Sequence, residues 1–553
     1  MHFDEVFRQP LARRSALKLG AATLVASQAA MLEQLVTMPQ RAVLAASGFS
    51  DIQFDIGRFC APAKTFNDGG GDVVAGFSPI FTLFVPARLT RNPTRGDQAK
   101  LAGALNTIEA SFPASPAGLF VALLYGVPYF NRLPQALVRS HIPHLLSDPN
   151  RRALEEAVPS PTDVIGGLVG GAKALSPGIT KDRFNIDVRI ENNDVLFKFR
   201  SDSLRNMAEV TAWLEGNPIL GGREVQPPDF DGLFVFQTPR LQFVQPGLPR
   251  MVADSAAAAN AALYEYHARV NSNSSMVMGM VDQQVNASGP AEIVTFVGNA
   301  VAKFTNAKAG DYFDNASIAH FSHVIDDLYQ WYATPKQDSR HPDGEPYTER
   351  VQYMFRSNQL GTIHGLPSEG SADQYANGGG PAFLNNLFQG IDAAIRGATD
   401  SAGKFAPGNQ SLDATFTGTR RVGHEAALQR SSRAKDGTPV HIRNDGPGFD
   451  TMDVPAFQLF PGGQTVPAGS HQFKLQFLMY VPTAEVFRQM RSDMAAQDFQ
   501  HQFLADQTDD NGLERFITAT RRQNFLIPPR RHRAFPLLEL AAGGGGGGRG
   551  RGR

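Results

Sequence analysis

After its first fifty residues the chain runs through one order of patterns, then returns to it. Residues 77–86 read as a strand, 97–111 as a helix and 117–125 as a second, buried strand. Residues 184–190 alternate apolar and polar side chains, as a half-buried strand does. Asn192, Asn193 and Asp194 make a turn, and 195–200 continue the strand. Helical spacing follows over 203–214, with Ser203 as a start signal, and 230–237 read as another strand. In the second pass the spacing predicts a strong helix over 316–332, a strand over 473–481, and a helix over 483–495 opened by Thr483 and Glu485. Strand, helix and strand with antiparallel-style alternation, met twice, predict an α+β fold of duplicated ferredoxin-like units, of the dimeric α/β-barrel type, with long loops. Residues 333–349 and 365–382 are rich in Gly, Pro and polar residues and are expected to be those loops.

The opening segment limits where such a fold is used. Arg13 and Arg14, then Ser15, Ala16, Leu17 and Lys18, lead into a mild apolar run over 20–32. That is the order of a twin-arginine export signal, and the run is too short for a spanning helix, which needs ~20 apolar residues. Small residues near Ala45 and Ala46 place cleavage there. The expected location is periplasmic or extracellular, reached by a route that carries folded proteins, cofactors included. The single Cys60 excludes an internal disulfide and cysteine-based metal clusters, so the exported chain must rest on its core. With 42% hydrophobic and 19% charged residues, 553 residues can build one. A formal net charge of −1 gives no reason to expect a nucleic-acid partner. Residues 543–553, a Gly run and then Arg-Gly alternation, have the composition of a disordered tail.

Two short segments bear on chemistry. One is Gly279-Met280-Val281-Asp282-Gln283; the other runs from His441 through Arg443 to Pro447. Their order and separation resemble the dye-decolourising peroxidases, whose signature is G-x-x-D-G followed much later by a haem-ligand His in H-x-R-x-x-x-P. Gln283 stands where the last Gly of the first motif belongs. Segments 117–130, 186–204, 475–488 and 525–529 resemble that family's elements in the same order. The resemblance implies haem b, with His441 as its metal ligand, Arg443 beside the propionates, Gly279 in the cofactor-binding turn, and Asp282 as the catalytic acid/base. It implies hydrogen peroxide and small aromatic donors as partners, and it is compatible with a homo-oligomer. The family also carries an Arg some way after the ligand His. Residues 450–463 contain none, which leaves open a non-catalytic exported relative that acts as a binding or interaction protein.

The expected division is a signal segment at 1–46, ferredoxin-like halves at 47–265 and 266–540, the second with the haem site, and the tail at 541–553. A competing site comes from the predicted helix over 316–332. There His320, His323 and Asp327 would share one face and could offer ligands to zinc for a hydrolase. Trp213, Trp331 and Tyr332, as large amphipathic rings, are expected to be core or rim residues, with relay of electrons from a haem to the surface as the alternative. Replacing Arg13 and Arg14 together by Lys is expected to hold the protein in the cytoplasm. Fractionation of producing cells checks this, and unchanged export of the double variant would sink the reading.

Overall fold

The computed structural model describes most of residues 49–332 and 431–541, together with His424. The signal segment, both loop regions between 333 and 382, and the Gly/Arg tail lie outside the described residues, as do shorter stretches such as 172–180, 279–288 and 496–512.

The first unit opens with β1 (Phe81–Leu89) and α1 (Arg95–Ser111). Thr94 starts that helix with a capping box. Its hydroxyl accepts from the Asp97 amide at 3.2 Å while the Asp97 carboxylate accepts from the Thr94 amide at 2.7 Å. Leu101, Leu105 and Ile108, spaced as one helical face, are buried against the sheet. Then come β2 (Phe120–Gly126), β3 (Val195–Ser201), α2 (Leu204–Leu214, capped by Ser203), β4 (Phe234–Phe236) and β5 (Arg240–Phe243). The strands lie in the order β4/β5, β1, β3, β2, all antiparallel. This is the ferredoxin-like order.

The second unit repeats it with β6 (Ser317–Asp326), α3 (Leu328–Tyr332), β7 (Ile442–Arg443), β8 (Gly446–Asp450), β9 (Gln472–Val481), α4 (Ala484–Ala495) and β10 (Ile517–Ile527). Their order is β10, β6, β9, β7/β8. The fold is thus α+β with a duplicated ferredoxin-like unit. Of the helix expected over 316–332, only Leu328–Tyr332 is helical. Residues 317–326 form the central strand of their unit, paired to β9 on one edge and β10 on the other. All ten are buried, so no polar face remains to reveal a period of two, and ladder bonds on both edges override local propensity. The strand expected over 184–190 shrinks to Arg189–Ile190, which pairs parallel to β10. Trp213, Trp331 and Tyr332 are buried in the core.

One seam makes a single sheet of the two units. Phe525 and Leu526 of β10 face Gly126 and Tyr125 of β2. The approach leaves no room for a side chain at Gly126, where a Cβ would lie 2.3 Å from the Asn193 carbonyl oxygen. Gln523 spans the seam, donating to that carbonyl at 2.7 Å and accepting from the Asn193 amide at 3.1 Å. At the far ends β5 and β8 lie side by side, and a Cβ on Gly448 would sit 2.8 Å from the Leu241 carbonyl oxygen. The curled sheet encloses an interior where Phe84 meets Phe321 at 4.6 Å and Lys198 Nζ donates to the Tyr480 hydroxyl at 2.7 Å. Gly126→Ala should lower unfolding free energy by about 1–3 kcal/mol through overpacking of the seam. Urea midpoints check this, and a midpoint equal to wild type would mean the seam gives way freely.

Candidate functional site

A cavity of about 340 Å³ lies on the outer face of the second unit's sheet, under α4. Period-two alternation places Ser322, Val324 and Asp326 of β6 on that face, beside Leu475 and Phe477 of β9. From β10 come Ile517, Ala519 and Arg522. Odd and even positions share a face there because the β6–β10 register slips. Ser322 faces Arg522, but Val324 faces Ala519, so Thr520 is an extra residue in a bulge. The helix contributes Phe487, Arg491 and Met494 at helical spacing, and Met276, Val277 and Met278 add apolar wall. That last segment is pinned to the core: Trp331 Nε1 donates to the Met278 carbonyl at 2.9 Å and the Tyr332 hydroxyl to that of Val277 at 2.6 Å.

Charge in the wall is mostly paired, as burial requires. Arg522 grips Asp163 through two bonds of 2.6 and 2.7 Å and donates to the Ser322 hydroxyl at 2.9 Å. Arg491 meets Glu514 at 3.2 Å, and Thr162 donates to the same carboxylate at 2.6 Å. Burial alone would raise Glu514, but Arg491 and Lys181 hold its pKa well below the usual range. Lys181 Nζ donates to the backbone carbonyls of Glu514 and Ile517, and burial lowers its pKa to about 8.

Two groups stand apart from this pairing. Asp326 is 5% exposed, and its side chain has no hydrogen-bond or ion-pair partner among the described residues. Burial raises its pKa to about 7, against the opposing charge of Lys474. His424 presents an imidazole whose Nδ1 is shielded from solvent and has no hydrogen-bond partner among the described residues. Desolvation lowers its pKa to about 4, aided by Arg491 and opposed by Glu514. At neutral pH it is uncharged, the form that can ligate a metal.

The residues expected from sequence are only partly gathered here. Arg443 lines the cavity, with Asp445 beyond it. His441 is 0% exposed one residue before β7. Its Nδ1 lies 3.3 Å from the Ser432 carbonyl oxygen, and its side chain is not among those lining the cavity. Gly279 and Asp282 lie outside the described residues. The zinc reading over His320, His323 and Asp327 fails. Three residues apart on a strand, the two imidazoles point to opposite faces. His320 lies between Asn524 and Ser322, at 2.7 and 2.6 Å. His323 lies between Thr520 and Asp450, at 2.7 and 3.3 Å, and Asp327 is paired with Arg183. No group of three or more His, Cys, Asp or Glu among the described residues is placed to hold a metal. Sequence reasoning missed Arg522, Asp163, Asp326 and His424. None carried a clear local signal: Arg522 stands in the polar run Thr520, Arg521, Gln523 and Asn524.

Residues 395–529 match a family described as a family of unknown function (DUF7405). No curated protein matches the chain. Among solved structures it is similar to a dye-decolourising peroxidase from Bacteroides thetaiotaomicron, at 13% identity and a TM-score of 0.41, over 88% of this chain and 99% of that one. It is also similar to a peroxidase of that type from Cellulomonas bogoriensis, at 13% identity and a TM-score of 0.41, over 82% and 90%. A third is a DypB variant from Rhodococcus jostii in complex with haem, at 12% identity and a TM-score of 0.39, over 83% and 95%.

The raised pKa of Asp326 fixes the sign of a pH effect. The folded chain keeps a proton that the unfolded chain, with the ordinary value of 3.8, gives up between that pH and about 7. The contribution favours folding at low pH and is lost as pH rises through 7. Asp326→Asn should therefore stabilise the protein more at pH 8 than at pH 5, by a difference on the order of a few kcal/mol. Denaturant midpoints at both pH values check this, and equal shifts would show that the carboxyl ionises freely.

Proposed function

We propose that this chain is an exported haem-dependent peroxidase of the dye-decolourising type, which uses hydrogen peroxide to oxidise small aromatic donors. The observation that carries the reading is the cavity of the second unit. It joins an apolar wall, an uncharged imidazole with a shielded and unpartnered nitrogen, and cationic side chains within one enclosure. These residues fit a flat apolar macrocycle that bears carboxylates. His424 would hold the metal through its neutral ring, and Arg443 would meet the propionates. When bound, haem supplies the two electrons that reduce peroxide to water and recovers them from donors. Asp326 holds or releases a proton near neutral pH inside the same enclosure, which is what a general acid/base must do. Leu475, Phe477 and Met494 keep water from the wall. Export as a folded protein would suit a chain that acquires its cofactor before it leaves the cytoplasm.

One observation favours a binding protein of the same fold without turnover. Arg522 and Arg491 are each held by a buried carboxylate, so neither is a loose cation for developing charge.

Visible spectra of haem-supplied protein test the reading. A Soret band in wild type, lost in His424→Ala and kept in His441→Ala, is expected. The reverse pattern would give the ligand role to His441, and no band in wild type would end the peroxidase reading. Peroxide-dependent oxidation of a phenolic dye then separates the enzyme from the silent relative.

A further inference from the structure

A second chamber, of about 370 Å³, adjoins the cavity, and Phe487 and Arg491 stand in the walls of both. The Phe487 ring stacks on His320 of the outer chamber at 3.6 Å with 16° between planes. It also lies 6.0 Å from Phe477 of the inner one. One aromatic ring and one guanidinium therefore belong to both enclosures.

The outer chamber's chemistry selects its occupant. Val158 and Ile165 are 52% and 42% exposed there, and Pro159 and Pro161 add flat apolar wall. The cations are already matched. Arg151 meets Glu155 at 2.8 Å and Glu485 at 2.7 Å, and Arg488 meets Glu485 at 2.7 Å. Burial holds His320 well below its ordinary pKa, so it is uncharged, and Asn524 and Ser322 occupy both its nitrogens. The charge left over is that of exposed Glu156, which repels an anion. Apolar faces, a satisfied polar rim and no spare cation suit an uncharged ring.

We propose that the outer chamber binds a small uncharged aromatic molecule, and that Phe487, shared by the two enclosures, determines which rings can approach the inner cavity. This rests on the peroxidase reading and deepens it, by adding that the aromatic donor is uncharged and where it sits. Only the donor's fate depends on that reading.

The test is ligand-observed NMR on the full-length, haem-supplied protein, with p-cresol as the uncharged probe and 4-hydroxybenzoate as its anionic counterpart. Wild type should bind p-cresol at least tenfold more tightly than 4-hydroxybenzoate. Ile165→Glu, a change at an exposed position, should weaken p-cresol at least tenfold and leave the Soret band and thermal midpoint unchanged. Phe487→Ala should admit the wider 2-naphthol, which wild type excludes. Equal binding of the two probes, or p-cresol affinity within twofold of wild type in Ile165→Glu, would overturn the proposal. Binding that follows these expectations in protein without a Soret band would uphold the chamber and end the haem reading. A Soret band with no p-cresol binding would do the opposite.

Discussion

The molecule depends on β10 having neighbours from both units. Along its length it pairs with β6 of its own unit, and near its end it meets β2 of the other. That second contact works because Gly126 brings no side chain and because Gln523 and Asn193 satisfy each other across the seam. Within the pairing to β6 the bulge at Thr520 resets which residues face outward. Arg521 turns to Asp453 and Glu191 in the sheet interior, while Arg522 turns to Asp163 in the cavity wall. Two adjacent arginines, each matched by carboxylates, thus serve opposite faces of one sheet.

The same supersecondary order seats its helices differently in the two units. In the first, α1 and α2 seat Leu101, Leu105, Met207, Val210 and Trp213 directly on the sheet. In the second, α4 lies over a face where Ser322, Asp326 and Arg522 interrupt the apolar surface. Polar groups there must meet partners or solvent, so the helix cannot close on them as α1 closes on its strands. The cavity follows from which residues β6 and β10 present, more than from any difference in topology.

Much of this was legible in the chain. Strands with a clear apolar run, such as 473–481, and helices with a start signal, such as the one Ser203 opens, stand near where pattern placed them. Failures came where burial is two-sided. Residues 317–326 carry histidines and serines among apolar residues. Spacing of three and four among them looks helical when every position is buried and no face is wet. The site was less legible than the fold. Arg443 could be singled out from its motif. Asp326 and His424 carry no local mark, because their character comes from desolvation by residues far away in sequence.

Strand β6 touches everything at once. Its even residues Ser322, Val324 and Asp326 line the cavity, and its odd residues Phe321 and His323 face the sheet interior with Arg240 and Asp450. Side chains on either face can be exchanged one at a time. The spacing cannot, because losing one residue would turn Asp326 into the interior and the imidazole of His323 out into the cavity. For this strand, a substitution alters one contact, whereas a change of length reassigns the side chains that follow it to the other face.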